Sequence, residues 1–220
     1  MAVVKQLSEN SCPKQHIFAT YHDPDGPKSE ALRALMFVLL LLDADDPSSV
    51  KESAKKVGSL LGNNGLNLLV NNAAIVANGT IQTSSVEDMK NTFNTNVIGP
   101  LLIIREYLPY LQMAAKASGI PGMSSNKAAV INISTVAGSM TRMLVQPIPN
   151  AGFNMLTVLA AEELKADEIL CMALHPGWVK TELRGDEVNV DFLSHTLLHH
   201  VLSISTIFKT YFFHCQTHFF

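Results

Sequence analysis

Residues 65–75 read Gly-Leu-Asn-Leu-Leu-Val-Asn-Asn-Ala-Ala-Ile, with Leu66, Leu68, Leu69 and Val70 as a short apolar run that passes directly into Asn71-Asn72-Ala73-Ala74. An apolar run of this length, bounded by Gly and Asn, reads as a strand buried on both faces. Strands of that kind belong to parallel sheets covered by helices. The two asparagines and two alanines at its carboxyl end offer amides and a flat approach to a ligand, and open α/β sheets bind ligands at that end.

Working outward, His16–Tyr21 (HIFATY) and Phe37–Leu42 (FVLLLL) are further strand candidates upstream, separated by the turn-rich HDPDGP and a short helix over Ser29–Leu35. Ser48 or Ser49 is expected to cap a helix with the stripe Val50, Ala54, Val57 and Leu61. Downstream, Ser84 or Ser85 caps a helix predicted to run to about Ala117, kinked at Pro100. Ala128–Ile133 and Ile169–Leu174 are strands, with a helix over Ala151–Leu164 between them. Strands alternating with helices at this spacing predict an α/β fold, a Rossmann-like doubly wound parallel sheet.

The chain has 220 residues, 47% hydrophobic and 16% charged, with a net charge of −3. This composition suits one well-buried domain with or without a tail. With no basic stripe there is no electrostatic case for nucleic acid. Cys12, Cys171 and Cys215 are scattered with no paired spacing, which favours a reducing compartment. Met1–Gln15 shows no apolar core of the secretory kind, so the expected location is the cytoplasm. His199, His200, His214, Cys215 and His218 lack ligand spacing, so no metal site is expected. Thr196–Phe213 is interrupted by His199, His200 and Lys209 and is too short to predict a membrane span.

The motifs ATYHDP, LLLLDADDPSSV, LNLLVNNAAI, NTNVIGP, INISTVAG and ALHPGWVKTEL, in this order over about residues 3 to 184, resemble the short-chain dehydrogenase/reductase family. Within that family the likeness is to carbonyl reductases of the sniffer or C-factor type. The resemblance implies NAD(P)-dependent reduction of a small-molecule carbonyl or oxidation of an alcohol, with NADP, or NAD, across the strand ends. It also implies a catalytic quartet of Asn, Ser, Tyr and Lys, in which Tyr hands a proton to the carbonyl oxygen and Lys lowers the Tyr pKa. Asn96 matches the family Asn, and Thr135 stands at the family Ser. On the cofactor side the matching positions are His22, Asp43, Asn71, Ala73, Gly177, Val179 and Thr181. Asp43 reads equally well as a helix cap. His22 holds a 2′-phosphate only when protonated, a weak basis for NADP over NAD.

Three departures from the pattern follow. The family Tyr and Lys fall on Gln146 and Asn150, which have neither a titratable proton nor a charge. No tyrosine replaces them, because Tyr21, Tyr107, Tyr110 and Tyr211 are followed four residues later by Asp25, Leu111, Ala114 and Cys215. Second, VVKQL resembles the middle of the helix that follows the family's Gly-rich turn, so the first strand and that turn are expected to be missing. Gly58, Gly62 and Gly65 end a helix rather than open one and do not replace the turn. In the order 3-2-1-4-5-6 the lost strand is central, which predicts two pieces of sheet across a gap with open, aggregation-prone edges. Third, residues 1–184 read as the family domain and 185–220 as a divergent, apolar, His-rich tail, expected to pack loosely. The functional expectation is an oxidoreductase-family member of impaired activity. The alternative is a non-catalytic protein that pairs through its helices as a homodimer or with a complete relative.

Overall fold

The computed structural model describes residues 16–22, 38–75, 82–124, 127–135, 149–175 and 210–214. In chain order the elements are β1 (His16–Tyr21), β2 (Val38–Leu41), α1 (Pro47–Leu61), β3 (Leu68–Asn71), α2 (Val86–Phe93), a π-helical turn (Asn94–Ile98), α3 (Gly99–Ala117), β4 (Ala129–Ile133), α4 (Pro149–Glu163), a 3₁₀ turn (Leu164–Asp167), β5 (Leu170–Leu174) and β6 (Thr210–His214). The expected helices before residue 16 and over Ser29–Leu35 lie outside the described residues, as do Gln146, Gly177, Val179 and Thr181.

All strands run parallel in one sheet of order β2-β1-β6-β3-β4-β5. The expected gap is therefore filled. Strand β6 comes from the tail and pairs on one side with β1, Phe18 opposite Phe212, and on the other with β3, Leu69 opposite Phe212. The run Thr-Tyr-Phe-Phe is rich in β-branched and aromatic residues, which suits a strand. A tail read as loosely packed thus supplies the central strand, because both neighbouring edges otherwise present unpaired backbone groups.

Every side chain of β3 is buried. Leu66 and Leu69 belong to the main core, together with Val50, Ala54 and Val57 of α1 and Ile103, Tyr107 and Leu111 of α3. Helix α1 starts one residue after Asp46, whose carboxylate accepts the Ser48 N–H at 2.8 Å. The cap is therefore Asp46 rather than either serine, and Pro47 takes the first helical position, where its missing N–H is not needed. Gly62, at φ +58°, closes α1. Ser85 caps α2 as expected by accepting the Asp88 N–H. The predicted long helix is split by the π turn, and Pro100 sits in the first turn of α3.

Candidate active site at the carboxyl edge of the sheet

Because the strands are parallel, their carboxyl ends converge on one edge. Asn71 ends β3, 1% exposed, and its Nδ2 donates to Asn132 Oδ1 on β4 at 2.9 Å. Asn132 Nδ2 donates onward to Thr157 Oγ1 of α4, and that hydroxyl donates to the Phe153 carbonyl, both at 2.9 Å. The relay locks β3, β4 and α4 together just below the edge. Asn71 Oδ1 is buried with no hydrogen-bond partner among the described residues, an arrangement that costs free energy unless something else satisfies it. Ala73 is buried just beyond Asn71.

Asn96 lies in the π turn and is 3% exposed. Its Oδ1 accepts the Ile75 N–H at 2.9 Å and its Nδ2 donates to the Ile75 carbonyl at 2.8 Å. The side chain therefore clamps the segment leaving β3, and both its polar atoms are engaged in that clamp. The π turn itself is tied to the loop after β2 by Thr95, whose hydroxyl donates to the Asp45 carboxylate at 2.9 Å. Thr135 follows β4 on the same edge and is part-buried. Beside it the Ser134 hydroxyl donates to Asn154 Oδ1, which fixes the end of β4 to α4. Asn150 sits part-buried in the first turn of α4.

On the other side of β6, His22 Nε2 and Asp43 Oδ2 are 3.4 Å apart, joining the ends of β1 and β2. Asp43 also accepts the Asp45 N–H and receives no helix N–H, while its own N–H donates to Ser49 Oγ. It is a loop organiser and not the cap of α1. The structure thus brings Asn71, Ala73, Asn96 and Thr135 to one half of the edge and His22 with Asp43 to the other, with β6 between them. Sequence reasoning missed Asp45, Thr95, Asn132, Ser134, Asn154 and Thr157. Only Asn132, a polar residue inside the apolar run AAVINI, carried a local signal.

The profile of the short chain dehydrogenase family matches residues 19–190. The chain belongs to that family. Among solved structures it is similar to the NADPH-bound carbonyl reductase from chicken fatty liver, at 34% identity and a TM-score of 0.85, over 94% of this chain and 82% of the other. It is likewise similar to the carbonyl reductase Sniffer of Drosophila melanogaster, at 28% identity and a TM-score of 0.84, over 93% and 86%. Among curated relatives, an NADPH-dependent 3-dehydrocapnine reductase of Ornithobacterium rhinotracheale is 28% identical over 68% of this chain and 51% of its own length. A short chain dehydrogenase of Aspergillus terreus is 31% identical over 68% of this chain and 31% of its own. The chain spans about half the length, or less, of these curated relatives.

Short chain dehydrogenases bind a nicotinamide dinucleotide whose pyrophosphate rests on a Gly-rich turn between the central strand and a helix N-terminus. The fit here is incomplete. The central strand is β6, and the residues that follow it, Cys215-Gln216-Thr217-His218-Phe219-Phe220, contain no glycine. Gly58 and Gly65 pack against Tyr110 and Ala114 of α3, and Gly62 ends α1, so none of the three is free to serve instead. Among the described residues, none supplies a Gly-rich turn behind the central strand. Among the described residues no three His, Cys, Asp or Glu side chains group to hold a metal, and no helix is long and apolar enough to cross a membrane.

Proposed function

We propose that this chain is a carbonyl reductase-like member of the short chain dehydrogenase family whose own hydride transfer is impaired. The observation that carries this reading is that the central strand β6 comes from the tail and is followed in the sequence by Cys215–Phe220, which holds no glycine. Gln146 and Asn150 at the family Tyr and Lys positions support it, because neither delivers a proton to a carbonyl oxygen. In this reading residues 1–184 carry the family motifs, and 185–220 are a divergent tail whose Thr210–His214 completes the sheet. Asn96 and Thr135 are the surviving active-site positions. His22, Asp43, Asn71, Ala73, Gly177, Val179 and Thr181 flank the place of the nucleotide. The similarity to an NADPH-bound carbonyl reductase favours NADP over NAD as the ancestral cofactor and a small carbonyl compound as its substrate; the reading keeps the cytoplasm as the location.

A second reading, a non-catalytic protein that pairs through its helices, is favoured by an apolar strip. Met155, Val158 and Leu159 of α4 are 56%, 62% and 50% exposed, and Leu101 of α3 is exposed as well. Initial rates of NADPH oxidation with a panel of aldehydes and ketones test the first reading. No turnover above background is expected from the chain or from its Gln146→Tyr/Asn150→Lys variant. Turnover by the unmodified chain would overturn the impaired reading; turnover by the variant alone would show that the central strand is not the limiting defect.

A further inference from the structure

Among the described residues, strand β6 is the sole link between two part-sheets. On one side lies β2-β1, on the other β3-β4-β5, and β1 and β3 pair with β6 and not with each other. The strand is also remote in the chain. Its partners Phe18 and Leu69 lie far upstream of Phe212, and residues 175–209 separate it from β5. A segment of that length spans at most roughly 115 Å when extended. That is several times the radius of gyration of about 17 Å expected for a compact chain of this size. The connection therefore permits β6 to enter the slot of another molecule.

We infer that β6 is exchanged between copies of this chain, so that the carboxyl-edge crevice of one protomer is completed by the central strand of its partner. The backbone bonds on both sides of β6 are the same whichever copy supplies the strand. The free-energy difference between the closed monomer and the exchanged dimer then lies in linker closure and association entropy alone. Closure of a long loop favours the monomer only weakly, because the penalty grows with the logarithm of loop length. Linked segments reach effective concentrations of at most the millimolar range, falling as the linker lengthens. A second copy competes once protein is concentrated or crowded during folding. The occupant is suited to this, since Thr210–His214 carries no Lys, Arg, Asp or Glu and is dominated by strand-forming aromatics. An empty slot, by contrast, presents two parallel edges that recruit any extended segment.

The register supplies the test. Val70 on β3 lies opposite Phe213 on β6. Neighbouring strands are about 4.8 Å apart, within the Cα separation that a disulfide spans. In a Cys215→Ser background of the full chain, Val70→Cys and Phe213→Cys are made as separate proteins, mixed, unfolded, refolded at graded concentrations and oxidised. Peptide mapping then identifies which cysteines have joined, and the double variant Val70→Cys/Phe213→Cys serves as the within-chain control. A 70–213 link between the two separate proteins, rising with refolding concentration, is the expected result. A link in the double variant with none between separate chains at any concentration would overturn exchange. Absence of the link in the double variant would remove β6 from the slot and the inference with it. A dimer that forms without the link would assign pairing to the helices instead.

Discussion

The two ends of the sheet are built differently. At the amino end Lys127 is 1% exposed, yet its ammonium is bonded to the Glu168 carboxylate and to the Gly122 carbonyl. Glu168 accepts the Gly122 N–H with its other oxygen, and Asn67 Nδ2 donates to the Lys127 carbonyl at 2.8 Å. Gly65 adds a close approach, since a Cβ there would collide with the backbone of Ala114. The Lys127 ammonium and both Glu168 oxygens in this clasp have partners. At the carboxyl end, Asn71 Oδ1 is buried without one among the described residues, and the His22–Asp43 pair is only part-buried. The contrast teaches that the fold is secured at the end away from the crevice, while the ligand end retains polar capacity that folding does not use.

The largest effect that would sharpen this contrast belongs to Gly65→Ala. The colliding atoms are helix backbone and cannot rotate away, so a loss of about 3 kcal/mol is expected, at the upper end for overpacking. Chemical denaturation measures it; a loss below about 1 kcal/mol would show that α3 is not held closely against the amino end. Glu168→Gln comes next. The hydrogen bond from Lys127 holds the Glu168 carboxyl below its ordinary value of 4.5. A lowered folded-state pKa stabilises the protein above the unfolded value, and that stability is lost as pH falls through the folded one. The Gln variant should therefore melt lower at pH 7, and the difference should shrink as the pH is brought below 4.5. A pH-independent difference would contradict the clasp.

At the ligand end the same kinds of change should matter little. Asn71→Leu removes the orphan oxygen but leaves Asn132 Oδ1 unpaired in its place, so the net change is expected within about 1 kcal/mol. A loss of several kcal/mol would mean that Asn71 Oδ1 is satisfied in solution. The smallest effect is Asp43→Asn, which removes a carboxylate that faces His22 at 3.4 Å and is partly open to solvent, and it should shift stability by about 0.5 kcal/mol or less. A titration calorimeter or a melting series resolves whether this end is as permissive as its bonding implies.

Much of the fold was legible because it is written in local patterns. His16–Tyr21 is the strand that its apolar run predicted, and β3, β4 and β5 lie within two residues of expectation. The cap of α1 was misplaced although Pro47 marked it, since a proline at the first helical position points to the residue before it. Strand β6 was missed for a different reason. TYFFH has the composition of a strand, but its place between β1 and β3 depends on partners far upstream, and no local pattern encodes a pairing of that range. The site was legible only as positions. That Asn96 clamps Ile75, or that Asn71, Asn132 and Thr157 form one relay, follows from side chains on separate elements meeting, which spacing along the chain does not reveal.

Strand β6 closes the sheet, and on the proposed function no dinucleotide pyrophosphate is held behind it. A thermal melt of the full chain with and without excess NADPH tests both halves at once. The account predicts one cooperative transition whose midpoint does not move with NADPH. A ligand bound only by the folded state adds roughly 2.7 kcal/mol at a hundredfold excess over its dissociation constant. A clear upward shift would contradict the missing cradle, and the absence of any cooperative transition would contradict the closed sheet.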